Sequence, residues 1–350
     1  SGDLSGADNP VSITIDGPKS VRAHFAPLVR VTIKTNPPGL IVTVDSVDYV
    51  TPYAFTWILG SSHTIGILSP QSSGEGVRYL FASWSDGGAQ THVIAPTTDS
   101  TFTANMTTQY YLTVSSDRGD PQGEGWYDAD SVATFWVTSP VADTTGVRYA
   151  FSSWTGRGSG SYTGSDNPAT VTMIGPITEV ANWITQYYLT VETNPPGIAD
   201  IPGSGWYDEN STATTGVAPA AIDTGGVTYD FQGWIVDDSL VTGNPISILM
   251  DAPHTAIANY ISYVSVTVTT SIGIGTTVIV DGVLRDAPYT TVWECGSTHT
   301  IGVESPQSGG EGIRYLFSSW GDGGAQTHSV SPVISTTYVA EMITLSLIHI

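Results

Sequence analysis

The phrase GEGVRYLFASWSDGGAQTH, residues 74–92, returns as GEGIRYLFSSWGDGGAQTH at 310–328. A chain that repeats a phrase this long is constrained, before any motif is weighed, to be an array of like units. The aromatic centre of the phrase extends the pattern. Tyr79-x-Phe81-x-x-Trp84 recurs as Tyr149, Phe151 and Trp154, as Tyr229, Phe231 and Trp234, and as Tyr315, Phe317 and Trp320. Successive tryptophans are 70, 80 and 86 residues apart, too far for a solenoid turn and suited to small domains.

A second marker fixes the phase. Asn9-Pro10, Asn167-Pro168 and Asn244-Pro245 precede VSITI, ATVTM and ISILM. Each is followed by Gly-Pro or Ala-Pro, and then by SVRAHF, TEVANW or TAIANY. Residues 1–26 therefore read as the back half of a repeat. Residues 108–184 and 185–261 open with TQYYLTV and carry GWYD (Trp126, Tyr127 and Trp206, Tyr207); we term them B-type. Residues 27–107 and 262–344 lack GWYD and share a Pro-Tyr segment, an HTIG segment and the long phrase; we term them A-type. The last six residues, 345–350 (LSLIHI), fit no repeat. They match the translation of a sequencing-library adapter and read as a non-native tail.

Within each repeat the apolar period is two: YYLTV, STATT, VTYDF and ISILM alternate in Val, Ile, Thr and Tyr. Pro, Gly, Asn and Asp punctuate these runs as turn formers, and Asp281-Gly282 predicts a tight hairpin. No stretch sustains helical spacing. The expected fold is all-β: a tandem, elongated array of small antiparallel sheet or sandwich domains. Tyr79, Phe81 and Trp84 and their copies are the expected core, because a domain of about 75 residues has a poor surface-to-volume ratio and each aromatic buries about 150–250 Å². Tyr79 and Phe81 share a face, whereas Trp84 joins them only if a β-bulge intervenes.

These residues resemble known families. YYLTV, GWYDxxS, Y-x-F-x-x-W, NPxxVTM and the closing ANW are similar to the divergent InlB B-repeats of bacterial and archaeal surface proteins. The front halves of the A-type repeats resemble PEGA-like repeats. The resemblance implies extracytoplasmic tandem modules in stalks, adhesins or envelope proteins, without catalysis of their own. InlB-type repeats can include a helix, and this sequence offers none.

Charge narrows the partners. The formal net charge is −22, from 32 acids against ten bases. Such a surface repels phosphate backbones and anionic membranes, so nucleic acid is excluded. No apolar run approaches the roughly 18 residues of a membrane span. The expected partners are other surface proteins or glycans. The single cysteine, Cys295, forms no intrachain disulfide and reads as a small half-buried residue.

Candidate chemistry is sparse. His63, His92, His299 and His328, with Asp86 and Asp322, supply imidazole and carboxylate but no close His pair. They read as surface or turn residues, and no metal site is assigned. Asp128, Asp130, Asp237, Asp238 and Asp86 are oxygen-rich turn positions that leave only a weak calcium role open. Asp128 and Asp208 read as turn residues rather than an acid–base pair. No catalytic motif is present and no cofactor is expected. The aromatics outside the core set, Trp126, Tyr127, Trp206, Tyr207 and Trp293, are the candidates for stacking on sugar rings. The favoured expectation is a non-catalytic stalk or adhesion segment of a secreted or surface-attached microbial protein. The alternatives are a carbohydrate-binding array and an accessory region of a larger extracellular enzyme.

Overall fold

The computed structural model describes residues 7–346. Among them every regular element is a strand, and there is no helix able to cross a membrane. The all-β expectation holds. The chain divides into two units, one of residues 1–139 and 151–183, the other of residues 140–150 and 184–350.

In the first unit, strand Leu28–Asn36 runs antiparallel to Tyr53–Ile58 and parallel to the start of the long strand Ser100–Ser115. Its burial alternates strictly, with Val29, Val31 and Ile33 inward. The long strand also pairs antiparallel with Val77–Trp84. A smaller sheet, in the order Val47–Val50, Ile41–Val44, His63–Ile67, Thr91–Ile94, covers the inward face. Between the two lies a cluster including Val31, Ile33, Val42, Ile65, Trp84 and Ala104. Ser100–Ser115 then continues without interruption into the next repeat, where it pairs with Gly125–Asp128 and, in parallel, with the start of strand Ile177–Asn194. That repeat closes its own cluster around Trp154, with Phe135, Leu112, Met173 and Ile177.

The second unit repeats the scheme. The strand His254–Thr270 is paired by Val227–Val236, Tyr289–Glu294, the later part of Ile177–Asn194 and Thr336–Ser346. One cluster surrounds Trp234 and another surrounds Trp320. The Asp281-Gly282 hairpin forms with both residues at positive φ (47° and 76°), the type I′ geometry that matches strand twist.

The four repeated tryptophans are at most 2% exposed, and each belongs to a different cluster. The register shifts between Phe81 and Ser83, between Phe231 and Gly233, and between Phe317 and Ser319. This one-residue bulge turns the tryptophan onto the phenylalanine's side, with ring centroids 6.4, 6.1 and 6.4 Å apart. Tyr315 packs on the Trp320 cluster of its own repeat, whereas Tyr229 departs from the expectation that all three rings serve one core. Tyr229 packs against both the Trp234 and the Trp320 clusters, so it bridges neighbours.

Residues 7–27 form no strand, and Phe25 is 92% exposed. The corresponding segments Ala169–Thr172 and Ser247–Leu249 pair with Val132–Phe135 and Thr212–Thr214 from the front of their own repeats. Of the tail, Leu345 and Ser346 extend the last strand; residues 347–350, like residues 1–6, lie outside the described residues.

Candidate functional site

The most elaborate polar constructions lie where one repeat meets the next. In the first unit the hairpin of Gln71–Ser72 and Val77–Trp84 projects onto the following B-type repeat. The Gly76 carbonyl accepts a hydrogen bond from the Tyr111 N–H (3.0 Å). Arg78 Nε donates to Gln109 Oε1 (2.8 Å), and Gln109 Nε2 donates to Asp128 Oδ1 (2.8 Å). The guanidinium lies 4.3 Å over the Trp126 ring, which meets Tyr111 edge-on at 5.1 Å. Tyr111 donates to Glu124 Oε1 (2.9 Å), a bond that raises the phenol pKa.

The second unit builds the same device. The Gly146 carbonyl accepts from the Tyr188 N–H (3.0 Å). Arg148 Nε donates to Gln186 (2.7 Å), Gln186 donates to Asp208 (2.8 Å), and the guanidinium lies 4.5 Å over Trp206. Glycine is required at the tip. Gly76 and Gly146 have φ of 70° and 75°, and an added Cβ would come within 2.7 Å of Pro176 or 2.8 Å of Pro253.

A third construction in the second unit departs from this pattern. Gly226 O accepts from the Ser335 N–H (3.0 Å) and from the Ser335 hydroxyl. Ser335 Oγ in turn accepts from the Ser265 N–H (3.0 Å). Thr228 stands where the arginine stood, and faces Tyr263 in register. Val227 and Tyr229 join the core of the following A-type repeat instead.

This geometry places the candidate sugar-stacking residues. Trp126 and Trp206 are half-buried, each with one face covered by an arginine. Tyr127 and Tyr207 pack against the cores and donate to Gly123 O (2.8 Å) and Gly203 O (2.9 Å). Trp293 does not offer the exposed face a sugar contact requires. It is 6% exposed within the Trp320 cluster, and its ring stacks on His299 at 3.9 Å. An aromatic strip that the sequence reading missed, Tyr53, Phe55 and Trp57, was legible as rings spaced two apart on one strand face. Phe55 stacks on Trp57 at 5.0 Å and Trp57 on His63 at 3.8 Å, so these rings occupy one another's faces.

The histidines act as clasps. His63 Nδ1 lies 2.7 Å from Asp45 Oδ2, and His299 Nδ1 lies 2.8 Å from Asp281 Oδ2. Each thereby ties the HTIG strand to a hairpin turn. His92 bridges Asp86 (2.9 Å) and Ala89 O (2.7 Å), and His328 bridges Asp322 (2.9 Å) and Ala325 O (2.8 Å). For Asp86 and Asp322, burial pushes the pKa up. The histidine and backbone N–H bonds outweigh it and leave both carboxyls lowered. Asp128 and Asp208 are engaged by the glutamines above, and their carbonyls accept from Ser131 and Ser211 (2.6 Å each). Asp130, Asp237 and Asp238 occupy turns at positive φ. Cys295 is half-buried, with Sγ 3.4 Å from Val333 O.

No protein-family model matches the chain, and no curated protein matches it. Among solved structures it is similar to BcpA, the major pilin subunit of Bacillus cereus, at 8% identity and a TM-score of 0.15. That match covers 90% of this chain and 98% of the pilin. It is also similar to the pilus adhesin SpaC of Lactobacillus rhamnosus GG in its open conformation, at 11% identity and a TM-score of 0.13. There it covers 93% of this chain but only 44% of the adhesin. Likeness at these TM-scores carries no argument about function.

Proposed function

We propose that the chain is a non-catalytic shaft segment of a secreted or surface-attached microbial protein, with modules 27–107, 108–184, 185–261 and 262–344. The observation that carries the reading is that, among the described residues, neighbouring modules within each unit share a strand. Ser100–Ser115 serves as the last strand of one module and the first strand of the next, and His254–Thr270 does the same. A hairpin tip hydrogen-bonded to the next module stiffens such a joint further. This economy of connection suits a part that spaces or projects something else, and the InlB-like and PEGA-like resemblance supports the same reading. The carboxylates of the GWYD turns are engaged in structural bonds, which favours a passive role over an acid–base one. Small-angle scattering of the full chain tests the proposal. A shaft gives a pair-distance distribution with an early peak and a long tail, whereas a symmetric bell-shaped distribution overturns it.

A further inference from the structure

The junctions follow a rule. Where the next repeat is B-type, the hairpin carries arginine (Arg78, Arg148); where it is A-type, it carries threonine (Thr228). The chemistry explains the pairing. A guanidinium finds an indole face and a Gln–Asp relay only in a B-type module, which alone has TQYY and GWYD. An A-type module presents Tyr263 at the glutamine's position, and an arginine there would lose both partners.

The last module, 262–344, carries the same hairpin with Arg314. Gly309 N–H donates to Ile313 O (3.0 Å) as Ser73 does to Val77 O (3.1 Å), and Gly312 has φ 72° against 70° at Gly76. Yet Arg314 is exposed whereas Arg78 and Arg148 are half-buried, and its register partner is Leu345 where they meet glutamine. We infer that the hairpin Gln307–Arg314 is a docking element selective for a B-type module entering in line with strand Thr336–Ser346. The residue at position 314 specifies that type. The inference rests on the internal junctions and stands whether or not the array is a shaft.

The test replaces residues 345–350 of the full chain by a copy of residues 109–184, so that Arg314 again meets a TQYY strand and a GWYD turn. A second chain receives a copy of 263–344 instead. Amide exchange of the 307–314 hairpin is compared with the parent chain. The B-type extension should slow it roughly tenfold, as expected for one cation–π contact plus a charge-assisted hydrogen bond. The A-type extension should slow it less, and R314T should remove most of the B-type gain. Equal protection by both extensions, no protection by either, or indifference to R314T overturns the inference. Should the appended copy fail to fold, R148T in the unmodified chain decides. It should speed exchange across 141–150 by a similar factor, and an unchanged rate overturns the rule itself.

Discussion

Trp154→Ala removes the ring at the centre of one cluster. The side chain is fully buried against Phe135 (centroids 4.8 Å) and Phe151 (5.3 Å), and its Nε1 donates to Asp166 O (3.1 Å). Losing about 200 Å² of burial at about 25 cal/mol per Å² gives an upper bound near 5 kcal/mol. Tryptophan-to-alanine changes in cores cost about 3–5 kcal/mol. An orphaned Asp166 carbonyl argues for the upper part of that range. Such a loss approaches the whole stability of a small domain, about 5–15 kcal/mol. Urea unfolding with segment-resolved proteolysis should show residues 108–184 becoming cleavable at far lower denaturant. The segments around Trp84, Trp234 and Trp320 should keep nearly their wild-type midpoints. A loss below about 1.5 kcal/mol, or a matching shift in all four segments, refutes the reasoning.

Two further outcomes concern protons. Glu179 is buried, with Oε1 accepting from the Tyr162 N–H (2.7 Å) and Oε2 unpartnered; burial raises its pKa above the usual 4.5 despite that bond. Raised in the folded state, it binds its proton more tightly there, so its contribution is present below pH 4.5 and lost as pH rises. Glu179→Gln should therefore flatten the fall in stability of the Trp154 module between acid and neutral pH, read by chemical denaturation. An unchanged slope would show the shift to be absent. His254 sits between Asp237 (2.5 Å) and Asp251 (3.0 Å). Burial alone would lower its pKa, but the two carboxylate bonds outweigh it and leave it raised from 6.5. Its stabilisation is complete below 6.5 and lost as pH climbs through the raised value. His254→Asn should thus destabilise more at mildly acidic pH than in alkali, and a gap that widens in alkali contradicts this.

The strands were readable because alternation is a local property: VTYDF and ISILM declare their faces without reference to a partner. The Asp281-Gly282 turn was readable for the same reason. The bulge after Phe81 was not, since it is fixed by which residues of Ser100–Ser115 lie opposite. Trp126 and Trp206 read as free aromatics because Arg78 and Arg148, the rings' partners, come from the preceding repeat. Trp293 misled for a related reason: its burial depends on a core assembled from segments up to His254–Thr270 and Thr336–Ser346. The choice of arginine or threonine by the type of the following repeat did stand in the sequence. Its meaning needed the hairpin to be seen lying on its neighbour.

Native-state hydrogen exchange across a series of low denaturant concentrations tests most directly whether every Trp-centred segment has a nucleus of its own. The account predicts separate opening free energies for the slowest amides around Trp84, Trp154, Trp234 and Trp320, each with the denaturant dependence of a unit of about 80 residues. Convergence of all four on one opening event, with a dependence scaled to the entire chain, would contradict it.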